Sequence, residues 1–261
     1  MKRSTIKNYF FLLKPFWVWF FVFVVLGVFY SVGFDLGQIN FLKLALIFII
    51  FQLFYGAIYI FNDLIDYESD RKNHERSKRI IASGRVSRKH AFFFGLIALC
   101  VSLVASMFVS LLFFWFEIFF LVYNLTYSLL FKKIPYIDVF SSGVTHFMRF
   151  IMGACLFGGI NSYYVGLAIY LIVIYGLFLK RYKEIKNGEE GRECLKGYSL
   201  NKIILLEIFI IACALVLALT SRGLDKIITG IFFLLLLFFA IGYFRSKLVQ
   251  RITNKQFSAD Y

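Results

Sequence analysis

Residues 42–61 read LKLALIFIIFQLFYGAIYIF, and residues 62–79 read NDLIDYESDRKNHERSKR. The first run is apolar over about the 20 residues that a helix needs to cross the hydrocarbon core of a bilayer. A helix that is apolar on every side belongs in lipid or deep inside a large protein. The second run opens with Asn62 and sets Asp63, Asp66, Glu68 and Asp70 within nine residues, followed by a mostly basic stretch. The junction therefore reads as a membrane–water boundary with a dense acidic cluster at its edge.

The rest of the chain repeats the pattern. It is 61% hydrophobic, 21% aromatic and only 17% charged, far from a soluble average of about 45–50% apolar and 25% charged. Apolar runs predict membrane spans at about 15–34, 41–62, 90–109, 111–131, 138–158, 162–181, 201–220 and 224–243. The runs are continuous rather than alternating, which excludes a transmembrane barrel. The expected fold is an all-α polytopic membrane protein, a bundle of eight spans in a single domain over 1–261. No linker of low complexity divides it.

Charge orients the spans. With eight of them, 25 of the 29 lysines and arginines fall on one side, and only Lys43, Arg222 and Lys226 on the other, with Arg149 inside a span. Such bias marks the cytoplasmic face. The expected location is the inner or plasma membrane, with both termini and the long loops 63–89 and 179–200 in the cytoplasm. The net charge of +14 is accounted for by this topology and by attraction to anionic headgroups of the lipid bilayer. No basic helical stripe or base-stacking pattern points to nucleic acid. The basic start and first apolar run read as a retained span rather than a cleaved signal, because the run is long, holds Lys14-Pro15 and lacks a small-residue cleavage site. Cys100, Cys155, Cys194 and Cys213 have no CxxC spacing, so neither a disulfide framework nor a zinc site is implied. Oligomeric state is not legible.

If the second span continues as a helix, Asp63, Asp66 and Asp70 stand at i, i+3 and i+7 on one face. Three like charges on one face need compensation. Mg²⁺ supplies it with oxygen ligands and is ordinarily held by a few carboxylates, waters and substrate phosphates. Asn62 adds a neutral oxygen. The alternative is a solvated helix end paired with Arg71, Lys72 or Lys78. Arg149 is an arginine inside a span, which by default marks a functional site. Tyr127 and Lys132 stand at the end of the fourth span, and Lys14 at the start of the first. Each suits either a phosphate or the ordinary interfacial pattern of aromatic belt and positive charge.

NDLIDYESD resembles the NDxxDxxxD signature of the UbiA superfamily of intramembrane prenyltransferases. RKNHERSKRIIASGRVS resembles that superfamily's Arg-rich stretch, with Ile80 where proline is usual. YSLLFKKIPYIDV (127–139) and LLKPFWVW (12–19) resemble two further segments. The resemblance implies a bundle of eight or nine helices, Mg²⁺ at Asp63, Asp66 and Asp70, and phosphate-binding bases at Lys78 and Arg79. Prenyl-diphosphate users in the superfamily carry a second Asp-rich motif after the sixth span. Here that segment reads LKRYKEIKNGEEGRECLKGYS (179–199), without aspartate. It is similar to the decaprenyl-phosphate phosphoribosyltransferase branch through Lys180, Arg181, Glu184, Arg192, Leu195 and Tyr198, and RFIMGA (149–154) resembles the same branch.

The resemblance to that branch implies transfer of 5-phosphoribosyl from phosphoribosyl diphosphate (PRPP) to a polyprenyl phosphate, feeding pentofuranose addition to the cell envelope. The chemistry agrees, since extra phosphates call for Arg forks and Lys point charges more than for extra carboxylates. The alternatives are an ordinary prenyltransferase with an aromatic or glycerol-phosphate acceptor, Glu184 and Glu189 replacing the missing aspartates, and a non-enzymatic transporter or scaffold.

Overall fold

The computed structural model describes residues 6–15, 20–74, 76–160, 162–188 and 193–245, and these form helices and turns with no strand. In chain order the helices are α1 (Ile6–Leu12), α2 (Val22–Ser31), α3 (Phe41–Ile65), α4 (Tyr67–Lys72), α5 (Arg88–Val109), α6 (Leu111–Leu129), α7 (Ile137–Phe157), α8 (Tyr164–Lys186), α9 (Leu200–Thr220) and α10 (Gly223–Arg245). Among the described residues seven helices, α3 and α5 to α10, are long and apolar enough to cross a membrane, and α2 is a shorter apolar helix. The all-α polytopic fold is as expected. Within the span expected at 15–34 the described helix is the ten-residue α2, and residues 16–19, with both tryptophans of the LLKPFWVW segment, lie outside the described residues. The sixth span runs five residues further than expected, to Lys186, because nothing breaks it until Gly188, whose φ of +68° ends the helix as glycine commonly does.

Side-chain caps set the starts of α3 and α5. The Asn40 side chain accepts from the Lys43 N–H at 2.9 Å, and Ser87 from the His90 N–H at 3.2 Å. Each satisfies a donor that the first turn would otherwise leave bare. Between α5 and α6 the chain turns on Ser110 alone, in an extended conformation (φ −171°). The expected loop 63–89 is largely structured. The helix pauses at Asp66, but N–H bonds from Asp66 to Asn62 and from Asp70 to Asp66 carry the spiral into α4.

By contacts, the chain divides into two compact units, residues 1–129 with 149–159, and residues 130–148 with 160–260. In the first, Phe21 and Val24 pack with Ile47, Phe51 and Tyr55 of α3, Phe113 of α6, and Met152 and Leu156 of α7. Close approach of α2 and α7 requires glycine on both sides. A Cβ on Gly27 would collide with the Phe150 carbonyl, and one on Gly153 with the Val24 carbonyl. Small residues let helix backbones touch in this way where lipid offers no hydrophobic drive to associate. Lys43 donates to the carbonyl of Leu156 in the last turn of α7, a favourable place for a cation. At the charged end of the same unit, Leu12, Ile60, Ile81, Val86 and Ala91 form a small apolar cluster. It ties α1, the end of α3, the 80–86 turn and the start of α5 together.

In the second unit Val139, Ile174, Tyr175, Phe178, Ile203, Ile210 and Leu236 are the core of a bundle of α7, α8, α9 and α10. Outward residues such as Leu205, Phe209, Leu219, Leu234 and Phe238 are more than half exposed. A soluble surface rarely carries so much contiguous apolar area, and a lipid-facing one does.

Candidate active site

Two clusters of buried charge occupy the charged ends of the helices, one in each unit. The first grows out of α3. Asp63 lies in the last turn of α3 and is buried, as is Asp70 on α4, at 6% and 1% exposure. Arg79 reaches both, with Nη1 3.2 Å from Asp63 Oδ1 and 2.9 Å from Asp70 Oδ2. One guanidinium spanning the pair demonstrates that the two carboxylates share a face, as the i, i+7 spacing predicts. Lys14 Nζ stands 3.3 Å from the same Asp63 oxygen and 4.7 Å over the Tyr59 ring. Lys14 takes a positive φ of 49°, and Gln52 donates to its carbonyl. Asp66 is half-buried at the α3–α4 junction, and its charge acts on both Asp70 and Arg79.

Burial pushes the Asp70 carboxyl above the usual range, against the pull of Arg79. Burial also works against the charge on Arg79, but Asp63 and Asp70 outweigh it and hold the guanidinium above its ordinary value. The site is thus an acidic cluster with built-in cations. Asp70 Oδ1 is buried without a hydrogen-bond partner. An orphaned carboxylate oxygen beside Asp63 and Asp66 is a hard oxygen donor of the kind Mg²⁺ takes, so these side chains fit the ion. Among the described residues no three His, Cys, Asp or Glu side chains form a ready-made cage.

The other sequence candidates separate. Asn62 is half-buried, and its Oδ1 accepts from the Ser128 hydroxyl on α6. Ser128 has no place in the sequence reading, although it lies one residue beyond Tyr127. Tyr127 is half-buried, as is Lys132, and Lys78 is exposed, its carbonyl accepting from Arg85. Arg149 is fully buried. It donates to the Tyr55 hydroxyl, and its guanidinium lies 4.9, 4.6 and 5.8 Å from the ring centroids of Phe20, Tyr55 and Phe120. Desolvated cation–π contacts are worth about 2 kcal/mol or more, which helps explain how an arginine is tolerated there. Tyr55 stands two turns, about 12 Å, from Asp63 along α3.

The second cluster holds Arg181 and Glu184. Arg181 is 3% exposed. Its Nε donates to Asp138 Oδ2 at 2.8 Å and its Nη1 to Glu184 Oε2 at 2.6 Å. The fork that the sequence reading reserves for a substrate phosphate is therefore engaged by two carboxylates. Tyr198 donates to the other Asp138 oxygen, and Cys194 Sγ is 3.6 Å from Oδ2. Burial, reinforced by Asp138, pushes the Tyr198 hydroxyl well above its ordinary pKa, so it stays a donor. Ring contact between Tyr136 and Tyr198 at 4.4 Å, and Pro135 pressed on Gly197, hold the 193–199 segment in place. Asp138 is 1% exposed and was missed as a site residue. The signal was available, since an acid in the first turn of a span calls for the same scrutiny as an intramembrane arginine. Glu189, Glu190 and Arg192 lie outside the described residues.

Comparison with known proteins settles the family. The sequence profile of the UbiA prenyltransferase family matches residues 18–258. The chain belongs to that family. UbiA homologues of known structure share the fold. One from Archaeoglobus fulgidus bound to GPP and Mg²⁺ superposes with a TM-score of 0.72 at 18% identity, covering 97% of this chain and 95% of that one. A digeranylgeranylglyceryl phosphate synthase gives 0.70 at 20%, with 96% and 92% covered. An apo homologue from Aeropyrum pernix gives 0.67 at 14%, with 95% and 94% covered. The uncharacterized protein y4nM of Sinorhizobium fredii is 32% identical over 117 residues, 45% of this chain. The match spans only 23% of that longer relative. The family is one of prenyltransferases, and the Archaeoglobus fulgidus homologue has been solved bound to GPP or to DMAPP together with Mg²⁺.

Proposed function

We propose that this UbiA-family protein moves 5-phosphoribosyl from PRPP to a polyprenyl phosphate and releases diphosphate. The observation that supports this reading is the charged end of α8. It carries Lys180 and Lys183, and the described acids Asp138 and Glu184 are paired with Arg181. A basic helix end suits additional phosphates.

In this reading Asp63, Asp66 and Asp70 hold Mg²⁺, which supplies charge neutralisation to the leaving diphosphate. Lys14 and Arg79, already oriented by Asp63, add positive charge beside that group, with Asn62, Lys78 and Tyr127 as further contacts. Substitution at ribose C1 passes through an oxocarbenium-like state, as glycosyl transfer does. The attacking lipid phosphate is already an anion, so no side chain has to remove a proton. The protein contributes positioning and fixed charge. The product would donate a pentofuranose precursor to envelope glycan synthesis. The experiment is incubation of purified protein with PRPP, a polyprenyl phosphate and Mg²⁺, with mass analysis of the lipid. A phosphoribosylated lipid is expected. Protein that ignores PRPP and instead releases diphosphate from geranylgeranyl or longer prenyl diphosphates reverses the assignment to the ordinary prenyltransferase reading.

The active end faces the cytoplasm in this proposal, from the 25-to-3 distribution of basic residues. Cysteines placed at Ser69 and Asn187, one at a time in a cysteine-free background, should not react with a membrane-impermeant maleimide on intact cells and should react after permeabilisation. Labelling of either from outside overturns the orientation.

A further inference from the structure

A hydroxyl or amide inside a helix can bond back to a carbonyl of its own preceding turn. Ser102 and Ser106 of α5 do so, donating to the carbonyls of Leu99 and Leu103. In α6, Thr126 donates to Val122 and Asn124 to Phe120 in the same way. Ser128 departs from this pattern. It is 2% exposed, and its hydroxyl crosses from the end of α6 to the end of α3, donating to Asn62 Oδ1 at 2.5 Å. Water does not compete at so buried a hydroxyl, and a hydrogen bond in such surroundings is stronger than one in water. The bond therefore holds the Asn62 amide in one orientation.

Asn62 is half-buried in the last turn of α3, and its backbone carbonyl accepts from the Asp66 N–H. Its neighbour Asp63 meets Lys14 and Arg79. An amide side chain carries one acceptor oxygen and two N–H donors. With the oxygen engaged by Ser128, the hydrogens on Nδ2 are what Asn62 has to offer a ligand. Acceptors for a metal are already plentiful at Asp63, Asp66 and Asp70, whereas a phosphoryl oxygen needs donors.

We infer that Ser128 is a positioning residue, which sets Asn62 as a hydrogen-bond donor to a diphosphate oxygen and takes the Asn62 oxygen out of the metal's ligand set. This deepens the reading above, and rests on it only for a diphosphate at the acidic cluster, which PRPP and a prenyl diphosphate both bring.

The test uses the full-length protein in detergent, with saturating Mg²⁺ and inorganic diphosphate as the probe. Diphosphate affinity and thermal unfolding are measured for wild type, Ser128→Ala, Ser128→Thr, Asn62→Asp and the double variant Ser128→Ala with Asn62→Asp. Loss of a neutral hydrogen bond corresponds to about threefold to tenfold in affinity, and loss of one to a charged group to about tenfold or more. Ser128→Ala should fall in the first range, and Ser128→Thr, which keeps a hydroxyl, should bind closer to wild type. Asn62→Asp replaces the donor with an acceptor of the same shape and should fall in the second range. The double variant should bind no more weakly than Asn62→Asp alone, because a residue that acts through another adds nothing once that other is changed, whereas independent effects multiply. Normal binding by Ser128→Ala, or multiplied losses in the double variant, removes the positioning role even where the unfolding temperature falls. Unchanged or tighter binding by Asn62→Asp makes the Asn62 oxygen a metal ligand and overturns the donor role. Wild type that binds no diphosphate overturns the inference together with the diphosphate site, while wild type that binds it but ignores PRPP in turnover keeps the inference and loses only the proposed reaction.

Discussion

Asp66→Asn is expected to lower turnover by about a hundredfold or more and to raise the Mg²⁺ concentration needed for half activity. The magnitude follows from losing one fixed charge at the place where the leaving group's charge develops, a loss that typically costs about 10²–10³ in rate. Asp66 is the informative member of the three. Asp63 and Asp70 are held by Lys14 and Arg79, so removing either charge also leaves a half-buried cation short of a partner. Asp66 is half-buried at a helix junction, and amide for carboxylate keeps its shape. The variant should therefore fold with an unfolding temperature close to wild type. Steady-state rates across a Mg²⁺ titration decide the matter, and a variant with the wild-type rate at low Mg²⁺ removes Asp66 from the metal site.

Arg181→Ala is expected to be the most damaging single change to stability. It strands two carboxylates, Asp138 at 1% and Glu184 at 8% exposure. Breaking a buried pair by deleting one partner typically costs about 3–5 kcal/mol, because an uncompensated charge stays behind. A combined variant, Asp138→Asn with Arg181→Met and Glu184→Gln, leaves no charge in the trio and should recover most of that loss, since neutral replacements of buried ion pairs are often tolerated. Thermal unfolding in detergent separates the two outcomes. Equal unfolding temperatures for Arg181→Ala and wild type would show that water or another cation already neutralises the acids.

Much of the architecture was legible from residue order. Apolar runs of membrane length, the basic asymmetry and the turn residues define the α3 and α5–α10 spans to within a few residues at most ends, because lipid forces the backbone to satisfy its own hydrogen bonds and leaves only the helix. The spacing of Asp63 and Asp70 announced a shared face for the same reason. Where the reading fell short, the missing information was contact between distant segments. Glycine at 27 and at 153 has no visible meaning until α2 and α7 touch at those two positions. Ser128 acquires a role only because α6 brings it to Asn62.

Arg181 illustrates the limit most clearly. As a letter beside Lys180 in a basic motif, it reads as a fork for substrate. Asp138 lies 43 residues earlier, and no local pattern indicates that the two meet. Sequence by itself determined the family, the helices and the acidic cluster, all set by composition, motif and short-range periodicity. Tertiary structure decided which charges cancel one another, assigning Arg79 to Asp63 and Asp70, Arg181 to Asp138 and Glu184, and Arg149 to three aromatic rings. Charge pairing inside a low-dielectric bundle depends on a few ångströms of separation, and that distance is fixed by packing between helices rather than by order along the chain.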